Sequence, residues 1–252
     1  MKLQDKVAIV TGGSQGIGQA IAERLAADGT QVAVVARGLE RAQAVAAGIV
    51  ARGGVARAYG ADCSLVPEID AVVAKVVADF GGLDIVVGNA GAFRTMPLEE
   101  TTEAVWDEQL DLNLKGTFFL VKAAVPHLER RGGGKVVLIS SIAGVRAFPN
   151  CAAYCASKGG LVNLTKALSV ELAARRINVN TIAPGNVETP INEHLRGPDH
   201  DAYVKLMSDR TPTGRAFLKP TDIAGAAAYL VSEDAIAMHG GVMVVDDGWC
   251  AW

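Results

Sequence analysis

Short apolar, β-branched runs recur along the chain, each followed by a longer stretch whose apolar positions return every three or four residues. The runs at 7–10, 31–36, 55–59, 85–87, 135–140, 177–182 and 242–245 read as strands. They are apolar almost throughout rather than alternating, which predicts a parallel sheet covered on both faces. Helices are expected over about 16–28, 38–52, 66–80, 104–131, 154–175 and 222–230. Strand and helix alternate from end to end, so the pattern predicts an α/β fold with helices on both faces of the sheet. No repeat or linker divides residues 1–252, and one domain is expected. The exception to the alternation is 187–215, a more polar segment with Gly197-Pro198, Pro212 and Gly214. An insertion of that kind near strand C-termini reads as a lid or binding segment.

Composition narrows the class. Half of the 252 residues are hydrophobic and 20% are charged, enough for a large core. A net charge of −3 gives no basic field for nucleic acid or an anionic membrane. No apolar run approaches the roughly 18 residues of a membrane span, and the start has no secretory pattern, so a cytoplasmic protein is expected. Cys63, Cys151, Cys155 and Cys250 form no CxxC pair, and the four histidines are scattered. Reduced, packed thiols and no structural metal are expected.

Two stretches suggest chemistry. Gly12, Gly16 and Gly18 follow the first strand and open a helix, where a tight turn, free N–H groups and the helix dipole suit a phosphate. The spacing G-x-x-x-G-x-G differs from the commonest dinucleotide fingerprint, and a strand-to-helix turn without ligand would use the same glycines. Tyr154 and Lys158 lie four apart on one helix face, thirteen and seventeen residues after Ser141. An ammonium beside a phenol would lower the phenol's pKa toward working pH, and Ser141 could donate to a carbonyl oxygen. By spacing alone, a surface Tyr/Lys pair beside a serine turn fits equally well.

Thr11-Gly12-x3-Gly16-x-Gly18, Asn89-Ala90-Gly91, Asn113, Ser141, Tyr154-x3-Lys158 and Pro184-Gly185 occur in one order across almost the whole chain. Together they resemble the short-chain dehydrogenase/reductase family. The resemblance implies a Rossmann-type, doubly wound single domain, usually a homotetramer, that moves hydride between a nicotinamide and a carbonyl or alcohol. It makes Tyr154 the proton donor, Ser141 the group that polarises the carbonyl, and Lys158 the residue that lowers the tyrosine pKa and bonds the nicotinamide ribose. Asn113 would support a water in the proton relay. The turn residues Gly12, Ser14, Gln15, Gly16, Ile17 and Gly18 would hold the pyrophosphate side. Asp62, with Cys63 beside it, would contact adenine. Asn89, Ala90 and Gly91 would line the groove, and Pro184, Gly185, Val187 and Thr189 would close on the nicotinamide amide.

The family's NAD-selecting acid is absent at Ala36 and Arg37 follows, which suits a 2′-phosphate. Gln15 stands where many NADP users carry a basic residue, so the preference for NADP(H) over NAD(H) rests on Arg37. The substrate is expected to be a small ketone or secondary alcohol. Alternatives are a 3-oxoacyl-thioester reductase docking an acidic carrier on Arg130-Arg131, an NAD-dependent polyol or sugar dehydrogenase, and a nucleotide sensor without turnover. Phe93, Ala143, Val145 and Phe148 are expected to shape an apolar pocket, with Arg94, Arg146 and Arg196 as candidates to meet an acidic group. Leu161, Leu164, Leu168 and Leu172, with the aromatic tail from Trp249 to Trp252, are expected in subunit interfaces.

Overall fold

Seven strands form where the apolar runs predict them: β1 Val7–Thr11, β2 Gln31–Ala36, β3 Val55–Gly60, β4 Ile85–Gly88, β5 Gly134–Ile139, β6 Ile177–Pro184 and β7 Val242–Val245. The structure is a computed structural model that describes residues 3–196 and 200–251. Every strand pair is parallel, in the order β3-β2-β1-β4-β5-β6-β7. The direction of winding reverses between β1 and β4, and such a reversal opens a crevice at the strand C-termini.

Eight α-helices lie among the described residues: α1 Gly16–Ala27, α2 Leu39–Ala51, α3 Val66–Phe80, α4 Glu103–Leu110, α5 Gly116–Arg130, α6 Ala152–Leu172, α7 Asp201–Arg210 and α8 Pro220–Val231. Their apolar stripes bury against both sheet faces. In α3, Ile69, Val72, Val73 and Val76 form one buried face, and Gly81 ends the helix in the left-handed conformation at φ 80°. The cluster on one face takes α1, α2 and α8 through Ile21, Ile49 and Ile223. The cluster on the other takes α3, α5 and α6 through Ile69, Leu128 and Leu161.

The single helix expected over 104–131 is divided. A π-helical turn, Asp111–Lys115, separates α4 from α5 and contains Asn113, which is fully buried. Its extra residue directs the Asn113 amide inward, where hydrogen bonds to Ala92 replace a regular helical exterior. The expected lid holds a 3₁₀ segment, Pro190–Leu195, followed by α7. Gly197-Pro198 lies outside the described residues.

One expectation about subunit contacts, that of the α6 leucines, is corrected. Leu161, Leu168 and Leu172 are 1%, 8% and 3% exposed in the chain's own core, and Leu164 packs against it. The sheet face uses them because α6 runs directly across β6. Trp249 stacks on Phe148 of the same chain at 5.1 Å, with the Arg210 guanidinium 4.8 Å from its ring. Trp252 lies outside the described residues.

Candidate functional site

The start of α1 is the first feature of the crevice. Gln15 precedes the helix without a side-chain cap, and the first turn has no acid. Free N–H groups at a helix start attract an anion, and here they face the cleft lined by Gly12, Ser14, Gln15, Gly16, Ile17 and Gly18. Gly16 has φ +55°, which L side chains rarely adopt, and a Cβ at Gly18 would stand 2.3 Å from the Gly12 carbonyl. The glycines therefore close the turn upon itself and leave its N–H edge open. Thr11 fastens this turn to the end of β4: its hydroxyl accepts from the Asn89 and Ala90 N–H groups, both at 3.1 Å. Asn89 Nδ2 donates to the Thr11 and Gly12 carbonyls at 2.9 and 3.2 Å.

At the far end of β2, Arg37 is exposed and lies 3.9 Å from Asp62. Asp62 accepts from the Ser64 hydroxyl at 2.7 Å and the Ser64 N–H at 2.9 Å. Those two bonds, aided by Arg37, hold its carboxyl below the usual range. Arg41, in the first turn of α2, donates to Gln15 Oε1 at 3.2 Å. The turn position that lacked a basic residue thus has a guanidinium bonded to it. Cys63 is buried, and burial followed by the nearby carboxylates pushes its thiol up to about 12. It is a wall of the groove without thiolate character.

The other end of the groove is formed by α6 and the end of β5. Ser140 donates to the Lys158 carbonyl at 2.8 Å, and Lys158 Nζ donates to the Ile139 carbonyl at 2.9 Å. These two bonds hold the first turns of α6 against the strand. Burial pulls the Lys158 ammonium down to about 8. Tyr154 lies one turn before it, with Nζ 5.8 Å from the ring centroid and the Phe93 ring edge-on at 4.8 Å.

The sequence pattern led us to expect a depressed tyrosine pKa, and the protein's own groups give the opposite. Burial pushes the phenol up to about 12; hydrogen bonding with Ser141 pulls it back in part, and Cys151 and Cys155 raise it further. The reason is geometric. The lysine is directed at a backbone carbonyl, so its charge does not offset desolvation of the phenolate. Ser141 caps the short turn Ile142–Gly144 by accepting from Ala143 N–H at 3.1 Å, which fixes its hydroxyl near Tyr154.

Asn113 stands behind this pair. Its amide accepts from Ala92 N–H at 2.8 Å, and donates to the Ala92 carbonyl and Ser157 Oγ at 3.0 Å each. Ser157 in turn donates to the Tyr154 carbonyl at 2.8 Å. Gly91 passes between: a Cβ there would lie 3.0 Å from Asn113 Oδ1 and 3.4 Å from Lys158 Nζ.

The cleft wall thus brings together Gly12, Ser14, Gln15, Gly16, Ile17, Gly18, Arg37, Asp62, Cys63, Asn89, Ala90, Gly91, Tyr154, Lys158 and Thr189. Pro184 and Gly185 end β6 and its turn without lining this wall, and Val187 is 4% exposed in the core. Sequence reasoning missed Arg41, Ala92, Leu112 and Ile191, which line it too. Arg41 left one legible signal: a cation in a helix's first turn opposes the dipole and so calls for an anionic neighbour.

The three arginines considered for an acidic substrate are engaged within the chain. Arg94 pairs with Glu108 at 2.5 Å, Arg146 donates to the Cys250 carbonyl at 2.6 Å, and Arg196 pairs with Glu188 at 2.8 Å. Arg131 is held by both oxygens of Asp84, at 3.1 and 3.2 Å, and Arg130 contacts His127.

A glycine-turned nucleotide crevice ending in a Ser-Tyr-Lys group defines an oxidoreductase class, and comparison with known proteins agrees. The short chain dehydrogenase family model matches residues 6–199, and the chain belongs to this family. It is an oxidoreductase acting on CH-OH or carbonyl groups. It is similar to D-threitol dehydrogenase of Mycolicibacterium smegmatis, 39% identical over 98% of this chain and 94% of the relative. It is also similar to 3-oxoacyl-(acyl-carrier-protein) reductase of Staphylococcus aureus, 38% identical over 96% of this chain and 97% of the relative. Among solved structures, a short chain dehydrogenase from Burkholderia cenocepacia in complex with NADP is 37% identical, with a TM-score of 0.92 over 99% of this chain and 100% of that one.

Proposed function

We propose that the protein is an NADP(H)-dependent reductase that interconverts a small neutral ketone and its secondary alcohol. The carrying observation is the juxtaposition of Tyr154, Ser141 and Lys158 at the end of a groove whose other end presents the uncapped start of α1. The residues fit a dinucleotide: open N–H groups at α1 suit the pyrophosphate, and Arg37 with Arg41 suits a 2′-phosphate. Lys158 and Asn89 would hold the ribose and amide side, with Asp62 and Cys63 at the adenine, and Pro184, Gly185, Val187 and Thr189 closing behind. NADP in a solved relative supports this cofactor. The bound dinucleotide supplies the hydride.

Tyr154 gives its phenolic proton to the carbonyl oxygen as charge develops there. A phenol held up to about 12 is fully protonated at neutral pH and so is loaded for reduction. Ser141 donates to the same oxygen. Burial lowers the Lys158 ammonium to about 8, so it gives up a proton more readily than a free lysine, and Asn113 fixes Ala92 and Ser157 beside the pair. Phe93 and Cys151 lie near the phenol, and Tyr203, bonded to Asn186, lies near Cys151; together they offer aromatic and neutral polar surface. With Arg94, Arg146 and Arg196 engaged internally, a neutral substrate is favoured over an acidic one. Residues 187–215 act as its lid.

We further propose an oligomer, with a homotetramer as the family-like state. Phe118 on α5 and Val170 on α6 stay 38% and 82% exposed, apolar surface that a partner subunit would cover. The test of function is NADPH oxidation against a panel of simple ketones, hydroxyketones and 3-oxoacyl thioesters with the wild type and Tyr154→Phe. The wild type should turn over a neutral ketone, and the variant should lose about 100-fold or more in kcat while retaining cofactor affinity. A variant with more than about a tenth of wild-type kcat would overturn the proton-donor role.

A further inference from the structure

On the sheet edge opposite the groove, a cavity of about 430 Å³ opens among the N-terminal ends of β1, β4, β5 and β6. Four cations line it, Lys6, Arg131, Lys135 and Arg176, against two carboxylates, Asp84 and Glu233. This excess of positive charge stands on a chain whose net charge is −3.

Asp84 is fully committed. It is 4% exposed, accepts from Val7 N–H at 2.9 Å, and is bonded by Lys6 at 3.3 Å and by Arg131 Nε and a terminal nitrogen. Among the described residues the other terminal nitrogen of Arg131 has no acceptor. Glu233 and Arg176 form no ion pair among the described residues.

Lys135 is the unusual member. It is 8% exposed, and its ammonium has one hydrogen-bond acceptor among the described residues, Asn178 Oδ1 at 3.1 Å. Asn178 is neutral and itself fixed, its Nδ2 donating to the Ile236 and Met238 carbonyls at 2.8 and 3.0 Å. Burial lowers the Lys135 pKa, which Glu233 opposes and Lys6 reinforces. Lys135 forms no ion pair among the described residues, and a buried ammonium with a single neutral acceptor is costly in a folded chain unless an anion completes it. The glycine loop 132–134 makes room for one more cation. Gly133 has φ +133°, and a Cβ there would stand 2.4 Å from the Arg176 carbonyl, so only glycine lets the loop pass close to Arg176.

We propose that this cavity is a second ligand site, for a phosphate dianion, with Lys135 at its floor and Arg131 and Arg176 at its rim. A dianion matches an excess of two positive charges, and tetrahedral oxygens can meet an ammonium and two guanidinium groups together. Neither the hydride-transfer groove nor its residues take part.

The test follows thermal unfolding of the whole protein at about pH 7.5 with inorganic phosphate, acetate or chloride at matched ionic strength. Phosphate can also enter the groove beside Arg37 and Arg41, so three variants accompany the wild type: Lys135→Met, Arg176→Ala, and the Arg37→Ala/Arg41→Ala double. Phosphate should raise Tm saturably above chloride, by roughly 2–6 °C at ten times its Kd. Lys135→Met and Arg176→Ala should each weaken phosphate about tenfold or more, while the double variant keeps the wild-type response. Arg176 is exposed and forms no ion pair among the described residues, so its variant decides the matter should Lys135→Met fail to fold. No rise above chloride, a rise unchanged in Arg176→Ala, a rise lost in the double variant, or an equal rise with acetate would each overturn the site.

Discussion

Lys158 combines two demands at one position: its ammonium is directed at the Ile139 carbonyl, and it sits 4% exposed where charge is costly. Because burial lowers its pKa from 10.5 to about 8, the folded state carries the full cost of a buried charge below about pH 8. That cost fades as pH rises through 10.5, above which the group is neutral in both states. Lys158→Met removes the titration. Its stability relative to wild type should therefore be highest below about pH 8 and fall by on the order of 3 kcal/mol by pH 10.5. Urea unfolding of both proteins across that range reads it, and a difference that stays flat with pH would contradict the burial argument. Arg41 offers a second residue-scale test. If it meets a 2′-phosphate from its bond to Gln15, Arg41→Ala should raise the NADPH KM about tenfold and leave the NADH KM unchanged. Equal effects on both cofactors would make Arg41 a support for the turn alone. The sequence made Tyr154, Lys158 and Ser141 legible because fixed spacing on a helix and after a strand sets their meeting. It hid Arg41 and the raised tyrosine pKa, since both depend on where a long side chain points.

At the scale of elements, strands and helices were legible from continuous apolar runs and three-to-four-residue stripes. The π turn at Asp111–Lys115 was not, because a single extra residue leaves the apolar period of α4 and α5 nearly unchanged while turning Asn113 inward. The same-chain partners of Trp249 were hidden for a related reason: an aromatic demands cover, but its sequence does not say whose. Phe148 and Arg210 of the same chain supply it. Close approach of elements is likewise invisible until the fold is known. A Cβ at Gly116, where α5 starts, would stand 1.9 Å from the Cys63 carbonyl, so two backbones must part. Gly116→Ala should cost about 1–3 kcal/mol, a Tm drop of roughly 2–10 °C, and loosen the wall of the groove at Cys63. Gly48→Ala is the control. Among the described residues its Cβ meets only Arg52, at 3.7 Å, so helix propensity should stabilise α2 by about 0.5–1 kcal/mol. Calorimetry that finds both substitutions equally destabilising would refute the contact argument.

For the whole molecule, the exposed Phe118 and Val170 predict association, since large apolar groups on packed helices are seldom left to solvent. Light scattering at micromolar concentration should report more than one subunit, and Phe118→Asp with Val170→Asp should yield a smaller species; a monomeric wild type would refute the interface. The Rossmann-type class itself was legible because alternation and apolar strands admit few other layouts, whereas charge distribution between sheet edges was not. Strand order has a further consequence, for how the chain is built. With the sheet ordered β3-β2-β1-β4-β5-β6-β7, β1 is the founding strand. β2 and β3 are laid successively on one side of it, then β4, β5, β6 and β7 on the other, in the order in which a ribosome delivers them. No strand ever has to be inserted between two already paired. A nascent chain can add each crossover to a standing edge as it emerges, which shortens the time for which any long-range pairing is left open to misassembly.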